Sequence, residues 1–330
     1  MKILHVASFI GNIGDNASHI GTYRILNKFF DYKVDRLEIR KAYENYTLSD
    51  KWKFDRGFVD LANEYDLVLL GGGAFFDYFL DNSATGTTVD ITEDTLELLT
   101  PEIVVMSMGC LPRGGEHNYG KVSKFLDSLK DRAHIFFRND GSHYPGIPQV
   151  LDSGFFYDNL GRYRPVEGDY IAISVAEYEA GDMESYTDEL ARLVESIPEK
   201  VVFVPHVMSD IGLINRVINK IHFFTVASRV TVAPYQQGWE GCRQLFSVYK
   251  NSKQVIATRY HANVCSIAMG KPCVGIGVSP KVDALFGSRS VKITPNMCEE
   301  LIDRFGETYN IDALKQDTLC RYTRVFGGIT

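Results

Sequence analysis

Residues 254–276 read Gln254-Val-Ile-Ala257-Thr-Arg259-Tyr-His261-Ala262-Asn-Val-Cys265-Ser-Ile-Ala-Met269-Gly270-Lys-Pro272-Cys273-Val-Gly-Ile276. The apolar run Gln254–Ala257 ends in a polar turn. A helical-length segment, Ala262–Met269, follows and is closed by Gly270 with Pro272 just beyond, a good helix stop. A second β-rich run, Cys273–Ile276, comes next. Strand, helix, strand at this spacing is the βαβ unit of a parallel sheet. The alternation extends upstream through the β-rich runs Tyr170–Val175, Val201–Val204 and Val230–Ala233, with helical stretches at Tyr186–Ser196 and Gly238–Asn251. An earlier series comprises Lys2–Ser8, Val34–Ile39, Asp66–Leu70, Glu102–Met108 and His134–Phe137. Most of these runs carry Val, Ile, Leu or Phe almost without a break, as strands covered on both faces do.

Two such series predict an α/β chain of two Rossmann-like domains facing a cleft. The polar stretch Gly161–Asp169, broken by Pro165 and Gly168, sets the boundary. It gives an N-terminal domain over residues 1–163 and a C-terminal one over 164–330. After Pro295 the chain reads as two helices, Met297–Phe305 and Ile311–Arg324, expected to pack back on the first domain.

Length and composition agree. The 330 residues suit two domains, and at 45% hydrophobic and 23% charged they are those of an ordinary globular protein. That excludes a fibrous chain, a mainly disordered chain and a disulfide-stapled miniprotein. A net charge of −7 gives no global basic character to recruit nucleic acid. No apolar run approaches the roughly 20 residues of a spanning helix, so no integral membrane segment is expected. The first ten residues make a poor signal peptide and a good first strand. The six cysteines form no Cys-x-x-Cys pair and read as reduced core thiols of a cytoplasmic protein, without a metal site. Asn16-Ala-Ser18 and Asn45-Tyr-Thr47 match the glycosylation pattern, which is idle without secretion.

In an open parallel sheet ligands bind beyond the carboxyl ends of the strands, so the loops after strands carry the chemistry. The first is Gly11-Asn12-Ile13-Gly14-Asp15-Asn16, before a helix opening near Ala17. Its glycines let backbone approach a ligand, while Asn12 and Asp15 offer hydrogen bonds to hydroxyls. Equally, it is a plain turn with Asp15 or Asn16 as N-cap. The second is Gly71-Gly72-Gly73, with a helix expected after it. It is either a tight packing turn or a place for close backbone approach to a ligand, and Phe76 breaks any Gly-x-Gly-x-x-Gly frame. The third is Thr258-Arg259-Tyr260-His261. Arg259 and His261 sit at a helix N-terminus, where free amides favour an anion and two cations are disfavoured by about a few tenths of a kcal/mol each. The plain alternative is that Arg259 pairs with a neighbouring acid and His261 is a satisfied core histidine. Arg138 in Phe137-Arg-Asn-Asp140, His206 after Val204-Pro, and Lys281 after Gly277-Val-Ser-Pro280 occupy further loops after strands. Gly115-Glu-His-Asn-Tyr-Gly120-Lys121-Val122 mimics a phosphate-binding loop, but Val122 stands where the magnesium-binding Ser/Thr is required.

Taken in order, these motifs resemble the polysaccharide pyruvyl transferase family: Gly11-Asn-Ile-Gly-Asp15, Gly71-Gly-Gly73, Phe137-Arg138-Asn-Asp140, Val204-Pro-His206, Thr258-Arg-Tyr-His-Ala262, Gly270-Lys-Pro272 and Lys281. The resemblance implies a GT-B-like pair of Rossmann halves, the first on the acceptor side and the second on the donor side. It implies transfer of the pyruvyl group of phosphoenolpyruvate (PEP) onto two hydroxyls of a sugar, as a ketal, in a cell-surface polysaccharide or its lipid-linked precursor. No separate cofactor is expected. Arg138, Arg259 and His261 would contact PEP, with Tyr260, Asn12, Asp15, Gly72 and Gly73 lining the substrate site. His261 is the first candidate acid/base, His206 the second, and Lys281 would assist the phosphate. Asn139 and Cys110-Leu-Pro-Arg113 depart from the family pattern. Peripheral contact at the inner membrane surface and a homo-oligomer are compatible with this reading. Two alternatives stand beside it: a GT-B-type sugar-nucleotide glycosyltransferase, for which Glu240 would have to grip the donor ribose, and a non-catalytic glycan- or PEP-binding member.

Overall fold

A computed structural model describes residues 1–39, 54–78, 81, 83–112, 117–158, 160–176 and 182–329. The Asn45–Thr47 pattern, Arg113 and the start of the Gly115–Val122 stretch lie outside these residues. The chain divides into two compact units. The first comprises Met1–Ile10, Ser18–Ser153 and Ala313–Thr330; the second comprises Gly11–Ala17 and Gly154–Asp312. The division thus falls after Ser153, eight residues before the Pro- and Gly-broken stretch begins at Gly161, and the turn Gly11–Ala17 groups with the second unit.

The first unit holds strands β1 (Lys2–Ala7), β2 (Lys33–Glu38), β3 (Leu67–Gly71), β4 (Glu102–Met108), β5 (His134–Arg138) and β6 (Gln149–Val150). All pair in parallel, in the order β2-β1-β3-β4-β5-β6. Central β3 is buried along its whole length, as an apolar run covered by helices on both faces must be. The strand order reverses between β1 and β3, the place where doubly wound sheets open a crevice. The two-residue β6 carries too little pattern for sequence to show it. The last helix, Asp312–Phe326, belongs to this unit: Tyr322 lies against Phe136, Phe326 against Phe29 and Phe30, and the Thr318 hydroxyl accepts the Leu151 amide at 3.0 Å.

The second unit holds β7 (Tyr170–Ser174), β8 (Lys200–Phe203), β9 (Val230–Val232), β10 (Gln254–Ala257) and β11 (Cys273–Gly275) in the parallel order β11-β10-β7-β8-β9. Its reversal lies between β7 and β10. The helix Met297–Asp303 packs here, on Met183–Ser196, so of the two C-terminal helices only the last joins the first unit. Among the described residues no helix is long and apolar enough to cross a membrane. Cys110, Cys242, Cys265, Cys273 and Cys298 are buried and unbridged, but Cys320 is exposed, which corrects its reading as a core thiol. Burial pushes the Cys110, Cys242 and Cys273 thiols up, so they stay protonated.

Candidate functional site

In the second unit, the loops after β7, β8 and β10 meet at the reversal point. The Thr258 amide donates to the Ser174 carbonyl at 3.0 Å, and the Thr258 hydroxyl accepts the Ala176 amide at 2.6 Å. Arg259 is the N-cap residue of the helix Tyr260–Ala268, so the helix opens two residues earlier than the sequence pattern indicates. The Arg259 side chain does not cap. Its guanidinium, 18% exposed, pairs with Asp210, whose carboxylate is 1% exposed. One oxygen of Asp210 also accepts the backbone N–H groups of His206 (2.8 Å) and Val207 (3.2 Å), along with Arg259 Nε at 3.2 Å. A buried carboxylate with this many donors is fully compensated, and it fixes the planar fork in one orientation. Asp210 is the residue that sequence reasoning missed. Its one signal was an acidic side chain four residues after the Pro-His pair that follows a strand.

His261, in the first turn of the same helix, is nearly buried. Its Nδ1 lies 4.0 Å from a carboxylate oxygen of Asp15. The Gly11–Ala17 turn reaches it because three contacts hold the turn. Tyr235 Oη donates to the Gly11 carbonyl at 3.0 Å, the Ile13 amide donates to the His206 carbonyl at 3.3 Å, and Gly14 packs directly on the imidazole. Gly11 has φ +97°, a conformation natural to glycine. The helix Ile13–Leu26 opens inside this turn rather than near Ala17. Its cap is the Asn12 carboxamide, which accepts the Gly14 amide at 2.9 Å, and not Asp15 or Asn16. Asp15, released from capping, faces His261.

His206 is enclosed rather than presented. Its Nε2 shares a 2.7 Å hydrogen bond with Tyr249 Oη, and its ring packs on Phe246. Burial, then the positive charge of Arg259, hold its pKa well below the usual histidine range. A neutral, enclosed imidazole is less suited to donate protons than His261, which lies in the first turn of its helix. Lys281 is the second residue of the helix Pro280–Phe286, half-buried, with Pro280 opening the helix. Glu240 is paired with Arg243, and both side chains are exposed.

The first unit treats its candidates differently. Gly72 has φ +82°, and a Cβ there would lie 2.1 Å from His19 Nδ1. A Cβ on Gly71 would strike the Met106 carbonyl at 2.3 Å, and one on Gly73 would strike the Phe75 ring at 2.6 Å. Packing alone therefore requires all three glycines, and among the described residues the next helix begins only at Glu93. Arg138, 2% exposed, lies between Asp140 and Asp152, both fully buried. Gly109 makes room for it: a Cβ there would sit 2.8 Å from Arg138 Nη2. Asn139 accepts the Asp152 amide at 3.2 Å through its side chain. Its carboxamide thus supports the arginine pocket.

Under the Gly71–Gly73 turn lie His5 and His19, ring centroids 4.9 Å apart. His5 Nε2 donates to the Gly71 carbonyl at 3.2 Å and His19 Nε2 to the Ser8 carbonyl at 2.8 Å. Neutral His5 then accepts from Tyr23 Oη through Nδ1, at 2.8 Å. Burial pushes the Tyr23 hydroxyl up to about 12, so it remains a donor. Burial, reinforced by His19, holds the His5 pKa well below 6.5. The folded chain therefore binds fewer protons than the unfolded one below that pH. Stability is fully present above about pH 6.5 and falls as the pH drops, by about 1.4 kcal/mol per pH unit for each such histidine. Urea unfolding at pH 7.5 and 5.5 measures the slope, which His5→Leu should flatten. An unchanged slope in that variant removes His5 from the account.

A family model described as polysaccharide pyruvyl transferase matches residues 12–280. The chain belongs to the polysaccharide pyruvyl transferase family. The match spans the Gly11–Ala17 turn from Asn12 and runs through the Arg259–His261 helix to Pro280, so it includes both parts of the second-unit cluster. For this family member, a transferase in polysaccharide modification, the saccharide acceptor is implied by the family itself. No curated sequence matches the chain. Among solved structures, it is similar to the UDP-GlcNAc 2-epimerase from Neisseria meningitidis bound to UDP-GlcNAc, at 12% identity and TM-score 0.57, over 99% of this chain and 100% of that one. It is similar also to the UDP-GlcNAc 2-epimerase from Methanocaldococcus jannaschii, at 12% identity and TM-score 0.58, over 99% of each chain. At that identity the likeness shows the fold, two Rossmann-like units of the GT-B-like class, and nothing of the chemistry.

Proposed function

We propose that this family member moves the pyruvyl group of PEP onto two hydroxyls of a sugar, forming a pyruvate ketal. The observation that carries the reading is Arg259, oriented by buried Asp210 at the N-terminus of the helix Tyr260–Ala268, with His261 and Asp15 beside it. PEP brings a carboxylate and a phosphate, nearly three negative charges on a small molecule. A pre-oriented guanidinium matches either group, and charge-assisted hydrogen bonds are worth about 1.5–3 kcal/mol each. The amides of the first helical turn add donors. Lys281, on the next loop after a strand, suits the phosphate.

Ketal formation starts with protonation of the PEP methylene carbon, leaving an oxocarbenium-like centre at C2. One sugar hydroxyl attacks C2, phosphate departs with its bonding pair, and the second hydroxyl closes the ring. Of the two hydroxyl protons released, one restores the acid and the other leaves with phosphate. His261 is the acid in this scheme, with the Asp15 carboxylate beside its Nδ1. Neutral His206 supports from behind, through the backbone that Asp210 caps.

Thermal unfolding with PEP, UDP-sugars and GDP-sugars tests the donor. A ligand at 100 times its Kd adds about 2.7 kcal/mol, so PEP should raise Tm and the nucleotide sugars should not. The reverse pattern would replace this reading with a glycosyltransferase. Gly14→Ala is a second test. Its new Cβ would lie 2.7 Å from His261 Nδ1 and 2.9 Å from His261 Cβ, so the imidazole must move. Misplacement by about 1 Å costs about 10²-fold in turnover. Phosphate release should therefore fall by about that factor while Tm changes little, because Ala recovers up to about 1 kcal/mol of helix propensity over Gly. Wild-type turnover in this variant removes His261 from the reaction.

A further inference from the structure

We propose that the first unit carries a docking platform for a neutral saccharide, built from Tyr119, Tyr78, Asp81 and His117, with buried Asn118 bracing Asp81. The proposal rests on the reading of the chain as a transferase with a sugar acceptor, and it names where that sugar is held. The loop after β3 runs from Gly72 to Thr92 without a regular element among its described residues, and the loop after β4 ends at Asn118. Both lie beyond carboxyl ends of strands, the face on which such sheets bind ligands. Loops longer than about 12–15 residues with no regular structure are usually functional or disordered. Asp81, within this loop, is tied down. Asp81 Oδ1 accepts from His117 Nε2 and, at 2.9 Å, from Asn118 Nδ2, while Lys121 Nζ donates to the Asp81 carbonyl.

The tie leaves something exposed. The Asp81 side chain is 75% exposed, and its Oδ2 has no partner among the described residues. Those same hydrogen bonds hold its carboxyl below the usual range, so it is an ionised acceptor at neutral pH. Next to Asn118 in sequence, Tyr119 opens the helix Tyr119–Lys130 with its side chain 51% exposed. Its ring meets Tyr78 with centroids 6.4 Å apart. A half-exposed ring near a fixed, exposed carboxylate and an exposed imidazole matches a pyranose. The sugar's C–H face lies on the ring, and adjacent hydroxyls donate to Asp81 Oδ2 or bond to His117, while buried Asn118 holds Asp81 in place from behind. A nucleotide would instead bring its phosphates toward Asp81, a like-charge penalty that selects the neutral ligand.

The test uses the full chain on an array of neutral hexose and N-acetylhexosamine oligosaccharides, with PEP-induced thermal shift measured in parallel. The wild type should bind a subset of the saccharides. Tyr119→Ala and Asp81→Asn should each weaken that binding by about 10-fold, about 1.4 kcal/mol. Tyr119→Phe should retain it, and the PEP shift should be unchanged in all three. Saccharide binding that is unaltered in both weakening variants, or absent from the wild type, overturns the platform. A wild type that binds saccharide through Tyr119 but does not respond to PEP keeps the platform and overturns the donor.

Discussion

Arg259→Ala is expected to lower PEP-dependent phosphate release by about 10³-fold while the chain stays folded. Losing one pre-oriented charge donor typically costs about 10²–10³ in turnover. Here the loss is compounded, because Asp210 loses its partner and becomes an uncompensated negative charge where the anion should bind. Arg259→Lys should rescue only a small part, since an ammonium cannot match the two-point contact with Asp210. His261→Ala removes the proton donor instead, and general acid catalysis is worth about 10²–10⁴. The two variants should separate in binding. PEP-induced thermal shift is lost in Arg259→Ala but largely kept in His261→Ala. Chromatography of the acceptor after incubation with labelled PEP reads turnover directly. If either variant incorporates label at the wild-type rate, the reaction does not run through this helix N-terminus.

The βαβ alternation that identified this fold was legible because buried parallel strands have no polar face. Their apolar runs stand out, and β10 and the helix Gly238–Asn251 fall on the residues that the sequence pattern indicates. The turn chemistry was legible less evenly. Arg259 could be located at a helix start, since Gly270 and Pro272 fixed the other end. Its partner could not, because Asp210 lies 49 residues away and only the packing of β8 beside β7 brings it near. The plain reading of Arg259 as half of an ion pair is met, and that pair orients the fork on which the proposed anion contact depends. Asp15 illustrates the opposite failure. Its place at the start of a helix suggested a cap, but Asn12 does the capping, and the carboxylate is left for His261. The glycines of residues 71–73 are needed for their own packing partners, and single-sequence reasoning has no access to a Cβ that would strike His19 or Met106.

Arg138 carries the second large expectation, and it concerns stability. A strand-end arginine was expected to reach PEP, yet its guanidinium is 2% exposed and held between Asp140 and Asp152. Removing one partner of a buried ionic cluster costs about 3–5 kcal/mol, because the remaining charges are left without compensation. Arg138→Ala strands two buried carboxylates and should sit at the upper end, lowering Tm by roughly 10 °C or more for a unit of this size. Arg138→Lys should fare little better, since one ammonium cannot bridge two carboxylates held by a fork. The triple change Arg138→Met with Asp140→Asn and Asp152→Asn removes the charges together, and most of the lost stability should return. That recovery distinguishes an internal brace from a ligand contact. A brace predicts that the triple variant still gains Tm from PEP, since Arg259 and the helix N-terminus are intact. If instead Arg138→Ala unfolds at the wild-type temperature and no longer responds to PEP, the buried cluster opens to the donor, and Arg138 returns to the binding site.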